Sequence, residues 1–575
     1  FHPGYGVVEQ YSEGPTLAID LDFDARGNLV VLTSSREALF HVVKGGCYVT
    51  RNQYPRPLNP FLDVSEGLLG PEMKTFGYAG LVAGGVGAAD VLWLRHSNAT
   101  AWLPLQSLVA GSTLQVRPMA NMKSVIGRAE AAPELVNCVE DRDSALVGQA
   151  PRAVRSPGGV LEAKSGRSPR HYLAATVADQ LKLRHGARAK VFGVADKDRA
   201  AILMSGKLAD GAYWTEDGRV VTSTYYRPEL PAYLTAFNAE QRAEKLHGRE
   251  WTRLLDPSVY DSVQGPDDAP GESKAVGFTR TFPKRLDGGQ VRIGKDYYDA
   301  FDYTPWNNDL IADLARAVIT QEQLGEADGS PDLLAIGFSQ PDKIGHAYGP
   351  DSHEVMDSIL RLDRTLAGLF QFLDEKVGLA NCNIVLTADH GAAPLPERNP
   401  AQGGRVRGAD FDQVVYAALD RQFGTLTDNE RWAVRDGLGY HLNPAALAQK
   451  KISASRLEDA VQAALRSIPA VASAYTRAQL TDPAPLDAMG EALRLSFYPP
   501  RSPDVLAVLK PYFIDRAAPG TTHGTPYDYD NHVPLLWYGA GVKSGLHPEQ
   551  VGVDDLAPTL VRLLGLPPLP QAAGR

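Results

Sequence analysis

One stretch, residues 332–391, limits what this chain can fold into more than any other. Asp332–Phe338 is a short apolar run of strand length. Glu354–Val377 follows, with Val355, Ile359, Leu362, Leu366, Leu369 and Phe372 at three- or four-residue steps, the spacing of one buried helix face. Asn383–Thr387 is apolar again. Strand, long helix and strand in that order predict a right-handed crossover, and with it an α/β domain on a parallel sheet. The alternation continues on both sides. His171–Leu183 has helical spacing, Ala189–Ala195 reads as a buried strand and Leu310–Gln321 as another helix. Val533–Tyr538 is expected to be a core strand and Val553–Leu564 a closing helix.

Composition permits such a core. Of 575 residues, 44% are hydrophobic and 22% charged, which excludes wholesale disorder. The formal charge of −10 argues against nucleic acid as a stable partner, while leaving room for a local basic pocket. No apolar run is long enough to predict a membrane span. Cys47, Cys138 and Cys382 have no C-x-x-C spacing and are expected to be small buried hydrophobes. Phe1-His2-Pro3-Gly4 is not a charged-then-apolar leader, so composition assigns no compartment.

Two regions read as inserted. Residues 205–300 are rich in Tyr, Pro and Asp and carry a turn cluster at 265–271. Residues 405–515 have their own alternation, with a helix expected at 455–467 and strands at 471–476 and 504–509. The expected division is therefore an α/β core of 1–404 and 516–575, with 405–515 as a cap-like subdomain. The first 130 residues have short apolar runs, many glycines and few clean periodic segments.

Three segments concentrate Asp and His beside apolar strands: Asp342-Lys343-Ile344-Gly345-His346, Thr387-Ala388-Asp389-His390-Gly391 and Thr521-Thr522-His523-Gly524-Thr525-Pro526. In open α/β sheets ligands bind beyond the carboxyl ends of the strands, which puts the first two segments on one rim. A solitary Asp-His pair in a loop is ordinarily a solvated turn. Recurrence after strands that one crossover helix sets side by side favours a metal site instead. Imidazole and carboxylate together suit Zn²⁺.

The wording of these segments resembles the alkaline phosphatase superfamily. Asp342-Lys343-Ile344-Gly345-His346 is similar to its D-x-x-G-H segment, Thr387–Gly391 to its T-A-D-H-G segment, and Thr522-His523-Gly524-Thr525-Pro526-Tyr527-Asp528 to its T-H-G-S-P-Y-D segment. Lys197-Asp198-Arg199-Ala200-Ala201-Ile202 and Ala209-Asp210-Gly211-Ala212-Tyr213-Trp214 resemble the single-chain bacterial branch with a threonine nucleophile, the PhoK/PafA-like group.

The resemblance implies a three-layer α/β/α sandwich around a mostly parallel sheet, with inserted cap regions. It implies a phosphomonoesterase with two Zn²⁺ ions. Asp342, His346 and His523 would hold one, and Asp389 and His390 the other, joined by an Asp from the N-terminal part. Lys197 and Arg199 would meet the non-bridging phosphate oxygens. Small phosphate esters and inorganic phosphate are the implied partners, and the periplasm or exterior the implied compartment. A phosphodiesterase or nucleotide pyrophosphatase of the same superfamily is the alternative enzyme, from which the Lys197/Arg199 pair discriminates. A catalytically silent metal-binding homologue is the third reading.

The family's T-x-C-P-G-H nucleophile motif is absent, and Trp102 and Leu103 stand where it has Pro-Gly-His. Counting back from Asn137-Cys138-Val139-Glu140-Asp141, which resembles the family's C-x-E-D segment, makes Thr100 the expected nucleophile. Residues 107–112 would start the helix after it. Asn121 falls where the family keeps a phosphate-binding Asn, and Asp63 where its first metal Asp belongs.

Overall fold

The computed structural model describes residues 139–148 and 165–575, except 327, 328, 427–429, 550, 570, 571, 573 and 575. It also describes strands at Ala18–Phe23, Leu29–Thr33, Ala38–Val42, Ala79–Gly80, Val91–His96 and Ala99–Pro104. These form two three-stranded antiparallel sheets. They belong to a compact unit of residues 1–115, 172–175 and 566–571, and most of the remaining chain forms a second unit.

The second unit is built on a six-stranded mixed sheet. Its strands are β1 (Glu140–Val147), β2 (Ser165–Arg167), β3 (Val191–Ala195), β4 (Gly211–Glu216), β5 (Arg219–Ser223) and β6 (Leu333–Gly337), in the order β6-β3-β4-β5-β1-β2. β6 and β4 flank β3 in parallel, and the pairs from β4 outward are antiparallel. The change of direction is set by Asp217-Gly218, both at positive φ (49° and 68°), as a two-residue primed hairpin turn requires. Residues 211–223 thus belong to the core sheet, and the irregular region expected from 205 begins after them.

Period-two alternation along β3 assigns its two faces. Phe192 and Val194 pack with Tyr213 and with Ile311, Leu314 and Val318 of a long helix, Trp306–Gln321. Ala195 joins Trp214, Val221, and Ala201 and Ile202 of the other layer's helix. Two apolar faces need two helical layers, which produces the α/β/α sandwich. The helices that matter for the site are α1 (Asp198–Ser205), α2 (Trp306–Gln321), α3 (Gln340–Tyr348) and α4 (His353–Lys376). The helix expected at His171–Leu183 runs from Val177 to His185 instead, because the Thr176/Asp179 capping box starts it there.

After α4, β7 (Ile384–Thr387) does not ladder with β6 among the described residues. It pairs antiparallel with a later strand, Leu535–Tyr538, with Thr387 opposite Leu535. A crossover fixes handedness and not adjacency, so the side-by-side expectation asked too much of it. Leu535, Leu536 and Tyr538 are 38%, 58% and 50% exposed, unlike the core strand expected there.

Residues 405–515 contain a four-stranded antiparallel sheet: β8 (Ala433–Asp436), β9 (Gly439–Leu442), β10 (Val471–Thr476) and β11 (Val505–Leu509), in the order β8-β9-β11-β10. Helices Gly408–Phe423 and Ala454–Arg466 cover it through Phe411, Val415, Leu457 and Val461. Leu535–Tyr538 is β12, and the closing helix is a short 3₁₀ turn leading into Leu556–Leu563. Among the described residues no helix is long and apolar enough to cross a membrane. Cys382 is a half-buried free thiol, and Cys47 and Cys138 lie outside the described residues.

Candidate metal and phosphate site

The site grows from the carboxyl ends of β3, β6 and β7. After β6, Pro341 occupies the first turn of α3, where its missing N–H costs nothing. Asp342 follows in that turn. His346 is four residues on, so helical geometry puts both side chains on one face. His346 Nε2 lies 3.3 Å from Asp342 Oδ1.

The other two imidazoles arrive on loops that are tied together. Gly391 donates to Asp530 O at 2.7 Å, and Ala392 to Tyr529 O at 3.0 Å. A Cβ on Gly391 would stand 2.1 Å from Tyr529 O, so only glycine allows this approach. The loop carrying His523 is pinned to α3: Thr521 donates its N–H to His346 O at 2.9 Å, and His346 Nδ1 meets Thr521 O at 2.9 Å. Gly520, at φ +92°, passes so close that a Cβ would sit 2.2 Å from His346 O. Arg405 holds the same loop, donating to Ala518 O and Gly520 O at 2.8 Å each.

His390 Nε2 and His523 Nε2 come to 4.0 Å and 3.7 Å of Asp342 Oδ1, and their rings stack with centroids 3.4 Å apart. Donor atoms of Asp342, His390 and His523 all lie within 4.8 Å of one another. One carboxylate and two imidazoles, each able to offer a lone pair, form a donor set that fits Zn²⁺. The expected grouping put His390 with Asp389. His390 Nε2 lies 3.4 Å from the Asp389 carboxylate, which is 86% exposed, and 4.0 Å from Asp342, so it stands between the two groups. Burial, reinforced by the neighbouring His390, pushes His523 down to about 4, which keeps its imidazole neutral as a ligand must be. The Nδ1 atoms of His346 and His390 both face backbone carbonyls, which favours the tautomer with a lone pair on Nε2.

Lys197, at the end of β3, reaches across to hydrogen-bond Asp342 Oδ2. Burial pushes the Asp342 carboxyl up, but Lys197, His346 and His390 outweigh it and hold it below the usual carboxylate range. Arg199 stands on the first turn of α1, more than a third exposed, with its guanidinium 4.0 Å from Asp198. Of the expected site residues, the structure therefore gathers Asp342, His346, His390, His523 and Lys197. Asp389 and Arg199 stand at the margin. Asp63 and Asn121 lie outside the described residues. Only the backbone of Thr100 is described, in a strand opposite Arg95. Residues 107–112 also lie outside.

A second polar cluster, with no motif in the sequence to announce it, stands beside the first. Lys343 Nζ contacts Asp196 Oδ2 at 2.5 Å and Asp302 Oδ2 at 2.8 Å, and Asp196 also accepts from Thr215 at 2.8 Å and Asn307 at 2.9 Å. Its carboxylates raise the Lys343 pKa against a desolvation that lowers it. Lys343 is one step round the helix from Asp342, so this network fixes α3 against the end of β3 and aims Asp342 at the imidazoles. The signal was available, since adjacent helical residues cannot share a face.

Comparison with known proteins gives this geometry its context. Residues 190–526 match the family model described as type I phosphodiesterase / nucleotide pyrophosphatase. A protein named calcium-transporting ATPase from Myroides odoratus is 30% identical over 478 residues, covering 80% of this chain and 83% of the relative. The alkaline phosphatase PafA of Elizabethkingia meningoseptica is 32% identical over 428 residues, covering 72% and 75%. A crystal structure of wild-type alkaline phosphatase PafA superposes with a TM-score of 0.68 at 30% identity, over 76% of this chain and 82% of that one. The matched region contains all the converging side chains. The chain belongs to the alkaline phosphatase superfamily, and it is a phosphatase of that superfamily.

Proposed function

We propose that the protein is a zinc-dependent phosphomonoesterase acting through a phosphothreonine intermediate. The observation that carries this reading is the placement of Lys197 against Asp342, inside the histidine cluster. A fixed ammonium beside a cation site is suited to the extra negative charge of a monoester, which a diester lacks. Arg199, two residues after Lys197 in the first turn of α1, would supply a second cation for the same oxygens. Asp342, His390 and His523 would hold one Zn²⁺, with His346 beside them. Asp389, joined by Asp63, would contribute to a second. Bound zinc would supply charge neutralisation at the attacking and leaving oxygens. Lys343 and Asp196 position α3, while Lys197 and Arg199 bind and orient the phosphoryl oxygens. Thr100 is the proposed acceptor and Asn121 a further phosphate ligand.

The substrates in this reading are small phosphate esters, with inorganic phosphate as product. Residues 405–515 form a cap on the core of 1–404 and 516–575, and the compartment is periplasmic or extracellular. The test compares p-nitrophenyl phosphate with bis-p-nitrophenyl phosphate. Faster turnover of the monoester is expected; faster turnover of the diester would overturn the reading in favour of a phosphodiesterase. Acid quench and phosphopeptide mapping should place the label on the peptide containing Thr100. Label on another peptide would move the nucleophile and leave the metal assignment standing.

A further inference from the structure

Beside the histidine cluster lies a cavity of about 370 Å³, lined by Ser273, Lys274, Tyr303, His346, Arg516 and Thr522. His346 belongs to both cavity and cluster, and Thr522 precedes the cluster's His523, so the two share a wall. The volume is at the lower end of small-ligand sites. Its charge has one sign. Among the described residues Lys274 and Arg516 are the charged lining groups besides the histidine, and no described carboxylate lines the space.

Arg516 is held in place by uncharged partners. Its Nε donates to Pro519 O at 3.0 Å and its Nη1 to Thr521 O at 3.2 Å. Thr521 O also receives His346 Nδ1, so the guanidinium is fixed to the carbonyl that orients a cluster imidazole. Among the described residues neither Arg516 nor Lys274 forms an ion pair. Burial pushes Arg516 below the usual guanidinium range; Tyr303 opposes this and Arg405 adds to it. A half-buried guanidinium with no counter-charge among the described residues, in a cavity whose lining also carries three hydroxyls, is a fixed receptor waiting for an anion.

We propose that this cavity receives an oxyanion, phosphate or carboxylate, carried by the leaving group of the ester. The enzyme would thereby select substrates with a second negative group over neutral ones. Arg516 supplies a fixed planar donor, and the exposed Lys274 supplies charge at the mouth. The Ser273, Tyr303 and Thr522 hydroxyls complete the lining. This inference rests on the phosphatase reading.

The test uses the zinc-loaded enzyme and paired substrates: phenyl phosphate against 3-carboxyphenyl phosphate, and propyl phosphate against propane-1,3-diyl bisphosphate. The readout is the ratio of kcat/KM, charged over neutral, within each pair. A charge-assisted hydrogen bond should make that ratio roughly ten or more. In Arg516→Gln the ratio should collapse towards one, whatever happens to the absolute rates. In Lys274→Gln it should fall by a smaller factor. The pair with the larger wild-type ratio identifies the oxyanion. A wild-type ratio near one in both pairs, or one that survives Arg516→Gln, would overturn the inference. Calorimetry supplies a readout without turnover: 3-phosphonopropanoate should bind more tightly than propylphosphonate, and Arg516→Gln should erase the difference. A wild type that hydrolyses no monoester would sink the phosphatase reading, while equal binding of the two phosphonates would sink the cavity assignment.

Discussion

The nine-residue helix α3 carries a polar cluster at each end, and the two are built on different terms. At its first turn Asp342 gathers Lys197, His346, His390 and His523, all with side chains between 19% and 30% exposed. At its last turn Tyr348 lies 4.3 Å under the Lys284 ammonium, which pairs with Glu354 at 2.8 Å, and both of those side chains are fully buried. Glu272, 3% exposed, stands in the same buried field. The first cluster is open and has room for an ion and a substrate. The second is sealed, and its charges can serve only each other. Charge in a protein is therefore no sign of function by itself; convergence of lone pairs on an accessible point is.

The largest effect is expected at the open end. Asp342→Asn removes the carboxylate shared by Lys197 and the imidazoles. It should remove bound zinc and lower turnover beyond the roughly 10–100-fold typical of disturbing a supporting residue. Metal analysis of the purified variant checks this, and full zinc with an unchanged rate would refute the assignment. Lys197→Ala should leave zinc in place while lowering monoester kcat/KM by about 10²–10³, with a smaller loss for diesters. An equal loss for both substrate classes would mean that the ammonium does not read the extra charge of a monoester.

The sealed end should respond in stability. Lys284→Met leaves Glu354 buried without its partner, which typically costs about 3–5 kcal/mol. The double change Lys284→Met with Glu354→Leu should recover most of that loss, because a buried pair is often replaceable by apolar residues of similar size. Urea denaturation measures both. If the double variant is as unstable as the single one, the pair contributes more than its own neutralisation.

The sequence disclosed the two ends unequally. The α4 periodicity predicted 354–377 and the helix spans His353–Lys376, because an apolar stripe on a long segment marks a helix well, although Ile359 of that stripe is 52% exposed and only Val355 and Leu369 of it are buried. Asp342, His346, His390 and His523 were legible because their residue types and order sit beside strands. Lys284, Glu354 and Glu272 were not, since nothing local distinguishes a buried ion pair from solvated charges far apart in sequence. The hairpin at Asp217-Gly218 carried a clear turn signal that the Tyr- and Pro-rich surroundings masked. β7 was found, but its neighbour was not, because strand pairing is a long-range choice. Thr100, Asn121 and Asp63 rest on counting along a segment without a matching motif, and distance along a chain does not fix a side chain in space.

The effect that separates the two ends most cleanly is a pH slope. Burial first, and then the nearby Glu354, push Glu272 up to about 8. Burial likewise raises Glu354 to about 7, against the pull of Lys284. Both carboxyls therefore keep protons in the folded protein at pH values where the unfolded chain has released them. With fewer protons bound in the unfolded state, stability falls as pH rises. The decline should start near the ordinary glutamate value of about 4.5 and level off above about 8, where Glu272 is ionised in both states. Each such group contributes about 1.4 kcal/mol per pH unit inside its own window. Glu272→Gln removes one of the two, so urea melts between about pH 5 and pH 8 should show a shallower decline. Lys284 and Asp267 are present in both proteins and cancel from the comparison. An unchanged slope would mean that the Glu272 carboxyl ionises normally in the fold, and that the far end of α3 is less sealed than its geometry indicates.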